Sequence, residues 1–214
     1  MLELGLKTLI AYLLGALVGS LILGRLRGVD IRAMGSGNAG ATNALRTQGR
    51  AFGLTVLIVD VAKGVLAAAW LPGLSLPGVG HDPGLPREWL TLACGFAVVI
   101  GHVYPVWFGF RGGKGAATIL GVIGAIDPHL LAPMVLCWFL VVVVTGYVGL
   151  ATMLAGVAAT VAAYFIEPRN ASLVGFCAAL AAFIVFTHRG NIARMRAGTE
   201  NHVRRLWLFR PRTV

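Results

Sequence analysis

Residues 51–71 read AFGLTVLIVDVAKGVLAAAWL, an apolar run matching the ~20 residues that a helix needs to cross a hydrocarbon core. Only Asp60 and Lys63 interrupt it. Backbone amides cannot stay unpaired in lipid, so a helix is the economical structure for such a run. Further apolar runs cover residues 4–24, 89–110, 115–126, 130–144, 148–166 and 173–187. The expectation is an all-α polytopic membrane protein with seven transmembrane helices, folded as one domain over residues 1–214. The fourth run is short, which implies shielding by neighbours or extension through Gly112 and Gly113.

Composition agrees. The chain is 57% hydrophobic and 12% charged, with mean hydropathy +0.82, against about 25% charged residues in soluble domains. Weak alternation and long runs argue against a transmembrane barrel. The first run resembles a secretory signal only superficially. It carries Glu3 and Lys7, lacks a small-residue cleavage pattern and leads directly into arginine-rich sequence, so a retained helix is expected.

The basic residues orient the chain. Arg25, Arg27, Arg32, Arg46 and Arg50 share the first connection, and Arg111 and Lys114 the third. Arg189, Arg194, Arg196, Arg204, Arg205, Arg210 and Arg212 crowd the C-terminal tail. The intervening connections hold only Arg87 and Arg169. The positive-inside rule therefore places the N-terminus outside and the C-terminus in the cytoplasm. The net charge of +10 is explained by this bias and by anionic lipid, so membrane lipid and not nucleic acid is the expected partner. Cys94, Cys137 and Cys177 lie singly in apolar runs and read as small hydrophobes. His81 and Asp82, in the Gly- and Pro-rich loop before Pro86, read as solvated.

Chemistry concentrates in three polar islands expected on the cytoplasmic side. The first is Gly35-Ser36-Gly37-Asn38-Ala39-Gly40-Ala41-Thr42-Asn43 with Arg46. It satisfies G-x-G-x-x-G without the surrounding βαβ unit, so it is not a dinucleotide fingerprint. Its glycines and successive N–H groups suit an anion nest. Ser36, Asn38, Thr42 and Asn43 add donors, Arg46 a phosphate fork, and residues 38–45 form a candidate short helix. A tight packing turn is the alternative.

The second island, Gly112-Gly113-Lys114, is no Walker A loop, because Phe108 and Gly115 stand where Gly and Ser or Thr are needed. Its lysine still suits a phosphate. Nearby His102 reads as a packing or hydrogen-bonding residue. In the third island, His188, Asn191 and Arg194 share a face if the last helix continues. His188 is a candidate proton acceptor, Asn191 a positioner of a hydroxyl, and Glu200 a partner for an arginine or an anchor for the tail. Asp60 and Lys63 mark either function or an internal ion pair.

Together these residues resemble the bacterial glycerol-3-phosphate acyltransferase family that uses acyl-phosphate as donor. The matching motifs are Ser36–Asn43 with Arg46, then Gly101-His102 through Gly112-Gly113-Lys114 to Ala117-Thr118, and His188-Arg189 through Asn191, Arg194 and Gly198 to Glu200. Asp60, Lys63 and Gly64 match as well. The resemblance implies seven helices in the bacterial cytoplasmic membrane and an active site facing the cytoplasm. It also implies acyl transfer from acyl-phosphate to the 1-hydroxyl of glycerol 3-phosphate, without a cofactor, metal or covalent acyl-enzyme.

Under that resemblance His188 and Asn191 are catalytic. Ser36, Gly37, Asn38, Gly40, Thr42, Asn43, Arg46, Gly112, Gly113, Lys114, Thr118, Arg189, Arg194 and Glu200 bind substrate or phosphate. One departure stands out: Gly149 and Thr152 occupy a connection where relatives carry serines. The rival reading is a transporter or channel for an anionic solute. Transporters favour inverted repeats and polar sites at mid-membrane, whereas the polar clusters here gather at one face.

Overall fold

The computed structural model describes residues 1–203 and 207–208. Arg204, Arg205, Arg210 and Arg212, which contribute to the orientation argument, lie outside the described residues. Among the described residues the chain is helical without strands and divides into two compact units, Met1–Asp127 and Pro128–Val214.

The first unit contains α1 (Leu2–Gly15), α2 (Gly19–Leu26), α3 (Ala41–Gln48), α4 (Arg50–Val65), α5 (Arg87–Val103) and α6 (Ala116–Ile126). The second contains α7 (Leu131–Thr145), α8 (Val148–Ile166), α9 (Ala171–Thr187) and α10 (Arg189–Arg196). Among the described residues, four continuous stretches are long and apolar enough to cross a membrane: Arg50–Gly73, Arg87–Phe108, Pro128–Thr145 and Val148–Ile166. The count reaches six if the bent pairs α1/α2 and α9/α10 are each one span. At 11 residues, α6 is about 16 Å long, half the hydrocarbon thickness.

The first run differs from a straight helix: α1 and α2 meet at 46° across the break between Gly15 and Gly19. Pro105 ends the run at 89–110 early, since it supplies no N–H to continue α5, and a single 3-10 turn, Val106–Phe108, follows. The run at 51–71 continues beyond α4 as a π-helical turn, Leu66–Trp70.

Within the first unit, α1 packs on α5 and α4 on α6 at very short range. A Cβ on Gly101 would overlap the Tyr12 carbonyl, and one on Gly15 the Val98 carbonyl. Gly121 and Gly64 meet Val61 and Thr118 in the same way. Lipid tails are as apolar as leucine, so close backbone approach through small residues is what drives such pairs together.

Polar clamps close the ends. Glu3, 2% exposed, accepts from Lys7 at 2.8 Å, from Arg87 at 2.6 Å and from the Asp82 N–H at 3.1 Å. His81 Nδ1 also lies 3.3 Å from Glu3. The expectation that His81 and Asp82 are merely solvated is therefore corrected: a buried carboxylate at the start of α1 collects donors from that loop. In the second unit α8 packs between α7 and α9.

Candidate active site

The first two islands come together within the first unit, and Asn43 organises the first of them. Its side chain is 2% exposed. Oδ1 accepts from the Ser36 N–H at 2.9 Å, and Nδ2 donates to Met34 O at 2.9 Å, Asn38 O at 3.0 Å and Ile31 O at 3.2 Å. Asn43 is therefore a staple for the loop, not a contributor of donors to a ligand as the sequence suggested. Around it the chain turns sharply, and Gly37 at φ 72° takes the left-handed conformation that glycine tolerates. Gly40 precedes α3, whose N-terminus receives no side-chain cap. The helix thus begins at Ala41, later than expected, and Thr42 and Arg46 are exposed one turn apart on it. Ser36, Asn38 and Gly40 are half-buried and Gly37 exposed.

Arg32, counted in the sequence only as a topogenic charge, joins the two islands. It donates to Phe108 O at 2.9 Å and Arg111 O at 3.1 Å, while Asp30 Oδ2 pairs with its Nη2 at 2.8 Å. This hydrogen-bonded guanidinium holds the Asp30 carboxyl below its ordinary pKa, and Asp30 raises that of Arg32. The Phe108 ring is buried with Val18, Leu21 and Ala39, and Arg25 lies 4.5 Å above it. Ser20 Oγ donates to Ala39 O at 2.9 Å.

In the second island, Gly112 N–H donates to Val103 O at 3.0 Å and Gly113 N–H to His102 O at 3.1 Å. These amides are committed to backbone acceptors, so the expected use of both glycines as anion donors is corrected. Their role is proximity: a Cβ on Gly112 would overlap His102 O, and one on Gly113 would overlap His102 Nε2. Lys114, half-buried, follows directly. Thr118 is fully buried beside Gly64 in the α4–α6 contact and lies away from solvent.

Behind this turn is a polar cluster in which Asp60 and Lys63 form the internal ion pair that the sequence allowed, joined by His102. Lys63 Nζ lies 2.9 Å from Asp60 Oδ1, 2.9 Å from Gly15 O, 3.1 Å from Leu17 O and 2.8 Å from His102 Nδ1. Asp60 Oδ1 also accepts from the Gly19 N–H at 3.2 Å. Asp60, Lys63 and His102 are all buried. His102 therefore has the charged partners that the sequence did not reveal.

The third island belongs to the second unit. The last helix does not continue straight: α9 ends at Thr187, His188 is the hinge, and α10 departs at 54°. His188 is 5% exposed and its Nδ1 lies 2.8 Å from Ile184 O. A carbonyl can only accept, so Nδ1 carries the hydrogen and a neutral ring keeps its lone pair on Nε2. Glu200 bridges Asn191 Nδ2 at 3.0 Å and Arg194 Nε at 2.8 Å. This bears out Glu200 as the partner of an arginine and corrects it as a phosphate ligand, since a carboxylate repels an anion; it is the brace of the island. A Cβ on Gly149 would lie 2.8 Å from Asn191 Nδ2, so the glycine lets α10 approach α8. Arg189 is exposed, with its guanidinium 4.5 Å above the Phe186 ring.

Among the described residues, no group of His, Cys, Asp and Glu side chains is arranged to hold a metal ion. The first unit thus presents cations, an uncapped helix start and a stapled glycine turn. The second presents a hinge histidine and a braced asparagine.

Comparison with known proteins gives a consistent picture. The family profile described as glycerol-3-phosphate acyltransferase matches residues 6–198. A protein of that name from Geobacter sulfurreducens is 38% identical over 91% of this chain and 94% of its own length. One from Bacillus velezensis is 39% identical over 94% of this chain and 98% of its own. Crystal structures of PlsY (YgiH), an integral membrane glycerol 3-phosphate acyltransferase, superpose in their glycerol 3-phosphate and lysophosphatidic acid forms. Their TM-scores are 0.79 and 0.77 at 32% identity, over 93% of this chain and 94% of theirs.

Proposed function

Because this chain belongs to the glycerol-3-phosphate acyltransferase family, we propose that it moves a fatty acyl group from acyl-phosphate to the 1-hydroxyl of glycerol 3-phosphate. The products are lysophosphatidic acid and inorganic phosphate. The observation that carries this reading is the match over residues 6–198, which takes in the first two polar islands and the third as far as Gly198. The proposal includes seven membrane-crossing helices in a single acyltransferase domain of the bacterial cytoplasmic membrane, with the N-terminus outside and the chemistry on the cytoplasmic face. Counting α6 as a crossing requires neighbours to shield its ends.

An acyl-phosphate is an activated mixed anhydride. The hydroxyl oxygen attacks the acyl carbon, the bond from that carbon to the phosphate oxygen breaks, and phosphate departs. No acyl-enzyme is needed. The catalyst must align two anions and offset charge developing on the carbonyl oxygen and the leaving phosphate. In this reading Ser36, Gly37, Asn38, Gly40 and Thr42 with Arg46 hold one phosphate and Lys114 neutralises the other, while Arg189 and Arg194 are the cations that the second unit supplies. Asn191, fixed by Glu200, positions the hydroxyl. His188, its Nδ1–H held by Ile184, offers Nε2 to the hydroxyl hydrogen.

The direct test gives purified protein glycerol 3-phosphate with acyl-phosphate or acyl-CoA and measures lysophosphatidic acid. Product from acyl-phosphate alone is expected, and His188→Ala and Lys114→Ala should each abolish turnover in folded protein. Near-normal rates in either variant remove that residue from the mechanism. Solute flux in proteoliposomes with no lysophosphatidic acid formed would replace the enzyme reading by the transporter reading.

A further inference from the structure

We propose that Asp60, Lys63 and His102 form a buried positioning network that holds the Gly112-Gly113-Lys114 turn in the shape that receives a phosphorylated substrate. This rests on the acyltransferase reading only for its substrate; the network and the turn it supports are properties of the first unit.

Hydrogen-bond direction sets the first link. A lysine ammonium has three N–H donors and no acceptor. Lys63 Nζ is surrounded by Asp60 Oδ1 at 2.9 Å, Gly15 O at 2.9 Å, Leu17 O at 3.1 Å and His102 Nδ1 at 2.8 Å. The oxygens can only accept. Nδ1 faces Lys63 more closely than it faces Asp60, whose Oδ1 is 3.4 Å away. His102 therefore accepts on Nδ1, and its hydrogen is on Nε2.

The second link is where Nε2 points. It lies so close to Gly113 that a Cβ at that residue would overlap it, and the same Cβ would stand 3.0 Å from Ala39 O. Ala39 O already holds Ser20 Oγ. The donor edge of His102 thus abuts the backbone where the first and second islands meet. The main chain around the ring is bound as well, through Gly113 N–H to His102 O. One residue holds Gly113 from two sides, with its ring against the glycine and its main-chain carbonyl accepting the Gly113 N–H.

A purely architectural role for the cluster makes the opposite prediction, and paired substitutions separate the two. In His102→Gln the amide N–H2 sits near the position of Nε2 and can still pack against Gly113. Lys63 then keeps three oxygens for its three donors. In His102→Asn the shorter amide reaches Lys63 but not Gly113. Positioning ranks Gln above Asn; simple satisfaction of Lys63 ranks Asn at least equal to Gln.

The experiment uses full-length protein in detergent. It measures kcat, KM for each phosphorylated substrate, unfolding temperature, and the rate of trypsin cleavage after Arg111 and Lys114. In His102→Asn, KM for one phosphorylated substrate should rise at least about 10-fold, the scale of one lost buried contact. Cleavage at the turn should accelerate to a similar degree, with kcat and the other KM little changed. His102→Gln should return these values to within about 3-fold of the parent. Equal behaviour of Asn and Gln, or a loss confined to kcat or to unfolding temperature, overturns the proposal. If His102→Asn fails to fold, Gly113→Ala perturbs the same contact from the other side and should show the same KM and cleavage signature. Parent-like values in that variant also overturn the proposal. If the parent makes no lysophosphatidic acid, the acyltransferase reading fails, yet the cleavage comparison still decides whether the network holds the turn.

Discussion

Asn43→Ala removes a side chain that is 2% exposed and makes four hydrogen bonds to the backbone of residues 31–38. Three of these are 3.0 Å or shorter, and at about 1 kcal/mol net apiece their loss destabilises the turn by roughly 3 kcal/mol. At 1.4 kcal/mol per decade this corresponds to roughly 100-fold in the population of the ordered loop. Any stability the turn holds in reserve subtracts from that figure. If Ser36–Gly40 cradle a phosphate, apparent affinity falls with the competent fraction. KM for one phosphorylated substrate should therefore rise roughly 10- to 100-fold, while the helices, and so the unfolding temperature, change little. Asn43→Asp should be no better, because it keeps the acceptor for Ser36 N–H but sets a carboxylate against the carbonyls of Ile31, Met34 and Asn38. The assay is steady-state acyl transfer with each substrate varied in turn, alongside thermal unfolding in the same detergent. An alanine variant that folds and keeps both KM values within about 2-fold refutes the link between the staple and the phosphate.

Glu200→Ala releases both Asn191 and Arg194 and should lower kcat at least about 10-fold. Glu200→Gln, which still accepts from Asn191, should lose less; equal rates in the two variants contradict the bracing role. Gly149→Ser forces atoms to within 2.8 Å of Asn191 Nδ2 and should depress kcat more than either KM, so unchanged kinetics would show that α10 can retreat freely. Asp30 has a depressed carboxyl pKa because Arg32 binds its ionised form. The stability this adds is present above the ordinary carboxylate pKa and lost as pH falls through the lower, folded-state value. With Asp30 49% exposed, solvent screening limits it to tenths of a kcal/mol. Asp30→Asn should be slightly less stable than the parent near neutral pH, and the gap should close in acid; a gap that widens in acid contradicts the assignment.

The helices were legible because long apolar runs leave a membrane chain few options, and residues 148–166 form α8 with the bounds read from the sequence. The break in the first run was not legible: Gly15 and Gly19 resemble ordinary packing glycines until Lys63 and Asp60 arrive from α4. In the islands, residue types pointed to phosphate chemistry, but sequence cannot separate a side chain that serves a ligand from one that serves the backbone. Asn43 turned out to serve the protein, as did the amides of Gly112 and Gly113, whereas the pairing of Glu200 with an arginine was legible. Asp30-Ile31-Arg32 did carry a local signal, an Asx-type turn in which the Asp30 side chain accepts from Arg32 N–H. The long-range partners of Arg32, Phe108 and Arg111, had none.

The same break explains why a costly ion pair persists inside a hydrophobic helix. Two buried charges are poor stabilisers in themselves, and apolar replacements often do as well. Between α1 and α2, however, the backbone leaves carbonyls at one helix end and amides at the next, and each unsatisfied group costs several kcal/mol in lipid. Lys63 takes the carbonyls of Gly15 and Leu17, and Asp60 takes the amide of Gly19. Each charge thus lies at the helix end whose dipole favours it, a cation at a C-terminus and an anion at an N-terminus. Their mutual contact at 2.9 Å leaves the pair neutral. An apolar pair at these positions would remove two charges and expose three backbone groups, so the ion pair is the less costly solution once the helix is broken. The break in turn starts α2 where Ser20 can reach Ala39 O, which ties the first island to the helices beneath it. The charge in the membrane is therefore the cost of a bend, and the bend is what sets the first island in place.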